Sequence, residues 1–237
     1  MNVLVNENSL QDIADAIREK NGTEATYKPS EMGEAILCLS DELLNYVDCF
    51  DFRNYKHEKL NIQSASAKAY NTEIIRNTTL GFLRGNTFIK ECIALFPNAK
   101  LGRYAFYGCS NIIYIKVDVS NMKDDEQYTA YNNMFCYCEK LETIDALLDG
   151  SNCGFSDFTF DYCNNLKNVR FVSLSIKSDI SFAHSSLLSD ESIQSIIEGL
   201  ADLTGQATKT ITFHTGVKAK LTEEQIATIT SKNWTLA

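Results

Sequence analysis

Apolar residues recur along this chain in a fixed order. Ala105-Phe106-Tyr107-Gly108-Cys109-Ser110-Asn111-Ile112 is followed by Ile113-Tyr114-Ile115. Met134-Phe135-Cys136-Tyr137-Cys138-Glu139-Lys140-Leu141 leads to Glu142-Thr143-Ile144, and Thr159-Phe160-Asp161-Tyr162-Cys163-Asn164-Asn165-Leu166 leads to Lys167-Asn168-Val169. The shared order is small or apolar, Phe, x, Gly/Tyr, Cys, x, x, Leu/Ile, x, x, Ile/Val. Phe106 and Phe135 are 29 residues apart, Phe135 and Phe160 25. Weaker copies flank these: Phe88 with Cys92, carrying one extra residue, and Phe182-Ala183-His184-Ser185, with Ser for Cys and Leu188 nearby. The best-kept positions are apolar and the residues between them are mostly polar. A motif for chemistry fixes its polar residues. A motif for stacking fixes its apolar ones, because each copy must bury them against the next. The predicted core is therefore Phe106, Cys109, Ile112 and Ile115; Phe135, Cys138, Leu141 and Ile144; Phe160, Cys163, Leu166 and Val169. Alternation over 112–117 and 166–171 predicts short strands, and Phe-x-x-Cys a turn or brief helix facing them. Stacked copies would put parallel strands on one side and Phe rings on the other.

Different patterns occupy the ends. Near the C-terminus, Ser189 precedes Asp190 and Glu191, and Ile193, Ile196, Ile197 and Leu200 share one helical face. Thr210–Phe213 alternates as a strand, Thr222–Gln225 reads as a capping box before Ile226 and Ile229, and Trp234 and Leu236 as a last strand. At the N-terminus, Ser9 caps an amphipathic stretch to Arg18 that ends at Lys20-Asn21-Gly22, and a second short helix is expected from about 29 to 36. Helices this short are not stable alone in water, so they pack either on the repeats or on other subunits. The resulting division is 1–39, a helical module; 40–86, an N-terminal cap or degenerate repeat; 87–188, the repeats; and 189–237, an α/β cap. Insertions at 118–133 and 146–158 are expected as loops on one face.

Composition narrows the function. At 44% hydrophobic and 22% charged residues this is a folding chain, with no apolar run of the roughly 20 residues that cross a bilayer. With 31 acids against 22 bases the net charge is −9, which repels a phosphate backbone, and no dense Lys/Arg cluster overrides it. Nucleic acid and membrane insertion are thus excluded from the expected partners. Met1 to Ser9 has neither the basic nor the apolar segment of a secretory signal. Of the eight cysteines, Cys109, Cys138 and Cys163 fall on the motif, and no C-x-x-C pair occurs. The favoured reading is small buried thiols filling a core, with metal or disulfide roles as the alternative.

Chemistry is sparse. His57, His184 and His214 have no ligand or triad spacing, and no Gly-rich phosphate loop or G-x-S-x-G is present. Asp124-Asp125-Glu126 reads as a solvated loop rather than a calcium site. Asp145, Asp149, Asp157 and Asp161 are scattered around the repeat turns. Asn21, Asn77 and Asn233 begin glycosylation sequons. No cofactor, metal or catalytic residue is expected. Tyrosines are the one binding signal: Tyr107, Tyr114, Tyr128, Tyr131, Tyr137 and Tyr162, with Tyr104, cluster among acids and asparagines. Aromatic plates with polar neighbours suit a glycan or protein surface, and the competing reading buries most of them at repeat junctions.

The order A-F-x-G-C-x-x-L-x-x-I over 87–188 resembles the leucine-rich repeats of the BspA type, also called the Treponema pallidum type. The resemblance implies an α/β repeat fold: a short, irregular leucine-rich-repeat solenoid with parallel strands, between a helical N-terminal module and an α/β C-terminal cap. The uneven repeat lengths depart from the pattern. The string Ile13-Ala14-Asp15-Ala16-Ile17-Arg18-Glu19-Lys20-Asn21-Gly22, then Lys28-Pro29-Ser30-Glu31-Met32, resembles a module at the start of phage tail-associated and prophage proteins. The tail from Leu221 to Ala237 is similar to the C-termini of phage and prophage repeat proteins of gut Firmicutes. These resemblances imply a non-catalytic interaction or structural protein, phage or prophage tail-associated and used in attachment. Its partner would be a protein or surface glycan, with a homo-oligomer through the N-terminal helices as a further expectation. The implied location is the virion or the bacterial cytoplasm. The alternative is a cell-surface adhesin, extracellular where the native gene adds a signal peptide.

Overall fold

The computed structural model describes residues 58–63, 83–95, 102–119 and 129–237, together with Asp15, Lys56, Met122 and Asp124. The helical module expected over 1–39, Tyr128 and His57 lie outside these residues, Asp15 of the module apart.

Alternation sets the strands. Cys92 and Ala94, then Ile115 and Val117, then Ile144, Ala146 and Leu148, then Val169 and Phe171 are buried, and the residues between them face outward. Five strands form one sheet: β1 (Lys59–Gln63), β2 (Glu91–Leu95), β3 (Tyr114–Val117), β4 (Thr143–Leu148) and β5 (Asn168–Phe171). They stand in chain order and every pair is parallel. Register places Cys92 beside Ile115 and Ile115 beside Ile144, with an irregularity between β4 and β5 at Thr143/Leu147. Parallel neighbours taken in sequence require every connection to return the chain to the same end of the sheet. That return brings the motif copies onto one another.

The turns are bonded to each other as regularly as the strands. Phe106 N–H donates to the Met134 carbonyl and Phe135 N–H to that of Thr159 (2.9 and 3.1 Å); Gly108 and Tyr137 donate to Cys136 and Asp161 (2.8 and 2.9 Å). Inside this ladder the Phe rings stack. Phe106, Phe135 and Phe160 lie 5.7 Å apart at interplanar angles of 9° and 10°. Phe182 continues the column at 4.8 Å and Phe213 at 6.1 Å. All twelve motif residues expected inside are buried in a single apolar cluster. The motif cysteines do more than fill space. Cys109, Cys138 and Cys163 each donate the thiol hydrogen to a carbonyl one copy earlier, those of Leu83, Phe106 and Phe135, at 3.0–3.1 Å. Ser185 repeats the gesture with a hydroxyl, donating to Cys163 O at 3.1 Å.

The first copy stands in a different register from the expected one. Leu83 and Gly85 donate to Ala105 O and Tyr107 O, so they occupy the places of Phe106 and Gly108. Asn86 takes the cysteine place, its Oδ1 accepting from Phe88 N and Ile89 N at 2.8 and 3.1 Å. Cys92 is paired with Ile115, not with a motif cysteine, and Phe88 is 45% exposed beneath the Lys56 ammonium. The aliphatic Leu83 and the polar Asn86 hide this copy from a pattern built on Phe and Cys.

After Leu188 the chain arrives where another strand would begin, with Ser189 N–H donating to Lys167 O at 2.9 Å, and turns into a helix instead. Helix α1 (Asp190–Gly199) is capped by Ser189 and lies against β5. Its hydroxyls close the sheet edge: Ser192 Oγ accepts from Val169 N and Ser195 Oγ from Phe171 N, at 3.0 and 2.9 Å. An open edge is a template for pairing with other chains, so this is edge protection. The remaining chain adds a second parallel sheet of β6 (Ile180–Phe182), β7 (Lys209–Phe213) and β8 (Trp234–Leu236). Helices α2 (Thr215–Lys218) and α3 (Glu223–Ser231) join β7 to β8, the latter opened by the Thr222–Gln225 capping box. Lys232 Nζ donates to the carbonyls of Ile197 and Leu200 at 2.9 Å, supplying the cation that the last turn of α1 lacks. The described residues thus form an α/β structure with two parallel sheets.

Candidate binding surface

The motif's Gly/Tyr position has a backbone cause. Gly85, Gly108, Tyr137 and Tyr162 have φ of 73°, 71°, 60° and 56°, the left-handed region that glycine enters freely and other residues enter at a cost. Tyr137 and Tyr162 therefore project from equivalent places in adjacent turns. Their rings stack at 4.7 Å and 10°, and His184, at the same place in the next copy, stacks on Tyr162 at 4.3 Å and 15°. Tyr107 meets Tyr137 edge-on at 5.5 Å, and Tyr104 meets Tyr107 edge-on at 5.4 Å. Arg84 lies over Tyr104 and Tyr107 at 4.8 and 5.2 Å, and Arg103 over Tyr104 at 5.9 Å. At the far end His184 Nδ1 is 2.8 Å from Asp161 Oδ1. The result is an aromatic column along the outside of the turns, in which Tyr137 and Tyr162 are 38% and 39% exposed. Burial and the neighbouring Tyr162 push the Tyr137 phenol up.

The expected tyrosine surface does not hold together as one patch. Tyr107, Tyr137 and Tyr162 are in the column. Tyr114 is elsewhere, on the outward face of the first sheet, its hydroxyl 2.7 Å from Asp145 Oδ2. Lys116 Nζ and an Arg170 guanidinium nitrogen also reach Asp145, at 3.0 and 3.3 Å. The Tyr114 hydrogen bond and then Lys116 hold the Asp145 carboxyl below its usual range, and the same hydrogen bond pushes Tyr114 up to about 12. These partly exposed contacts fix side-chain order more than stability. Tyr131 is a correction: it is fully buried, its ring on Phe155 at 4.3 Å and 12°, its hydroxyl accepting from Asp149 N. The insertion expected as a loop on one face thus sends Tyr131 inward. A large ring wedged beside Phe155 recovers more by burial than by solvation.

The acids separate. Asp124 ties the two insertions together, its Oδ1 accepting from Ala130 N at 2.7 Å and Gly154 N at 3.0 Å. Asp149 caps Ser151 N, Asp145 serves the sheet face and Asp161 serves His184. Among the described residues no three metal-ligating side chains converge. Cys92, Cys109, Cys136, Cys138, Cys153 and Cys163 are free and buried. Burial pushes the thiols of Cys109, Cys136 and Cys153 up to about 12 and those of Cys92, Cys138 and Cys163 upward as well, away from nucleophilic or metal-binding thiolate. Cys136 lies in the influence of Asp161, yet burial and that carboxylate both hold its proton on. The Asn233 sequon is closed off, since Nδ2 donates to Leu203 O and Gln206 O. No described helix is long and apolar enough to cross a membrane. Comparison of the chain with known protein families, with curated proteins and with solved structures finds no match.

Proposed function

We propose that this chain is a non-catalytic interaction protein built as a short leucine-rich-repeat solenoid of the BspA type, associated with phage or prophage tails and used in attachment. One observation carries the repeat architecture in this reading, and the tail association rests on the resemblance of the chain's two ends to phage and prophage proteins. Equivalent Phe, Cys and Leu/Ile residues from successive motif copies stack into one interior, and the thiols donate from copy to copy. Residues kept for stacking leave the variable positions between them as the recognition surface, and scaffolds of this kind hold ligands on such surfaces. The perturbed groups support the same reading: the thiols are pushed toward their neutral form, and Asp145 is held by three donors rather than poised against a substrate.

An antibody raised against the purified chain tests the role. It is applied to particles released on prophage induction of the source bacterium and to intact cells. Label at particle tails is the expected result. Label on uninduced cell surfaces with bare particles would favour the adhesin reading instead. Turnover of a glycan or peptide by the purified chain would overturn the non-catalytic assignment.

A further inference from the structure

We propose that the column Tyr107–Tyr137–Tyr162 is a two-fold contact between two copies of this chain, an inference that rests on reading the protein as an interaction protein. The column carries backbone strain with no glycine to relieve it. Tyr137 and Tyr162 hold φ of 60° and 56° where the neighbouring copies use Gly85 and Gly108. Strain retained at consecutive copies points to what the side chains do. What they offer is specific. Tyr137 and Tyr162 turn a face to each other, and His184 covers a face of Tyr162, so ring edges and hydroxyls reach solvent. A sugar ring stacks its C–H groups on an open aromatic face, and the Tyr162 ring stands between two neighbours. Edges and phenol O–H groups suit protein contacts, where Tyr and Arg are the enriched anchors.

Charge selects the occupant. The column has arginines at one end, Arg84 and Arg103 over Tyr104, and a carboxylate, Asp161, at the other. Such a strip is complementary to its own reverse. A two-fold axis through Tyr137 sets that ring against Tyr137 of the partner subunit, Tyr107 against the partner subunit's Tyr162, and Arg84 against the partner subunit's Asp161. Asp161 meets His184 through Oδ1 and keeps a partly exposed side chain, so in this contact its second oxygen would be the one to face the arginine. Isologous two-fold contacts of this kind are the commonest form of self-association.

Sedimentation equilibrium of the full chain tests the contact. The wild type is expected to be a dimer. Arg84→Glu and Asp161→Arg are each expected to raise the dissociation constant at least tenfold, and the variant carrying both to recover most of the loss, because the reversed pair re-forms across the axis. Tyr137→Gly, which suits the left-handed backbone, is expected to give monomer with unchanged far-UV circular dichroism. A wild-type monomer at all concentrations overturns the proposal. So does a dimer indifferent to all these variants, or a double variant no better than either single one. Glycan binding by a wild-type monomer that is lost in Tyr137→Gly also overturns it, giving the column to carbohydrate. None of these results bears on where the antibody labels particles, so the two readings fail separately.

Discussion

Replacing Phe135 by alanine removes the middle ring of the buried column. Phe135 is fully buried between Phe106 and Phe160, 5.7 Å from each and nearly parallel to both. Its backbone is pinned on both sides, N–H to Thr159 O and carbonyl to the Cys163 thiol, so the turn cannot close over the void. Sites that cannot collapse sit at the expensive end of large-to-small substitutions, about 3–5 kcal/mol for Phe to Ala. Against a total of about 5–15 kcal/mol, that is a large share of the stability. With a urea slope near the upper end of the usual range, about 3 kcal/mol/M, the midpoint falls by about 1–2 M. Phe135→Leu costs roughly 1–2 kcal/mol, since Leu83 fills the same place in the first copy. The assay uses two probes, far-UV circular dichroism for the whole chain and fluorescence of the single tryptophan, Trp234. Trp234 is buried in β8, its indole donating to Ala201 O, and β8 pairs with β7, whose Phe213 ends the column. Both probes should shift together. A Trp234 transition left at the wild-type urea concentration while circular dichroism moves would refute the single interior. A cost under about 1 kcal/mol, the size of a surface change, would refute the packing argument.

Other expectations follow from the same contacts. Cys138→Ser keeps a donor to Phe106 O and should unfold at higher urea than Cys138→Ala by roughly 0.5–1.5 kcal/mol; the reverse order would reduce the thiol to apolar filler. Ser192→Ala strips the acceptor from Val169 N in a buried site and should cost about 1–3 kcal/mol in urea unfolding, with faster aggregation as the β5 edge opens; an unchanged midpoint and aggregation rate would deny the edge-capping role. Gly108→Ala, at φ 71°, should cost about 1–2 kcal/mol, and Gly108→Asn less; equal costs would contradict the left-handed assignment. The buried thiols give alkaline sensitivity. Their folded pKa values are raised, so the unfolded chain loses thiol protons first and stability should fall as pH climbs from about 8.5, the free-thiol value, toward 12. Urea midpoints that stay level over that range would show the cysteines to be solvated.

The three central motif copies were legible because burial tolerates little change: Phe, Cys and Leu/Ile each fill a fixed volume, so the residue types persist. The first copy was not, because Leu83 and Asn86 meet the same needs by other means, one by size and the other by bonding two backbone N–H groups. Gly85, two places after Leu83 as Gly108 is after Phe106, was the available signal. The caps were readable from local chemistry: Ser189, the Thr222 box and the alternation at 210–213 all act within a few residues of chain. Ser192 and Ser195 were opaque, since their partners are 23 and 24 residues away and a helical serine carries no mark of a sheet edge. The tyrosines divided for a similar reason. Tyr137 and Tyr162 share a motif place and Tyr107, one place before Gly108, reaches the same surface, whereas the inward turn of Tyr131 depends on Phe155 in another insertion.

Ring-to-ring nuclear Overhauser effects in protein labelled at phenylalanine read the buried column itself. An unbroken series of cross-peaks is expected in the order Phe106, Phe135, Phe160, Phe182 and Phe213, matching centroid separations of 4.8–6.1 Å. Cross-peaks missing between Phe106 and Phe135 or between Phe135 and Phe160, with those rings instead relaxed by a solvent-exposed paramagnetic agent, would contradict it.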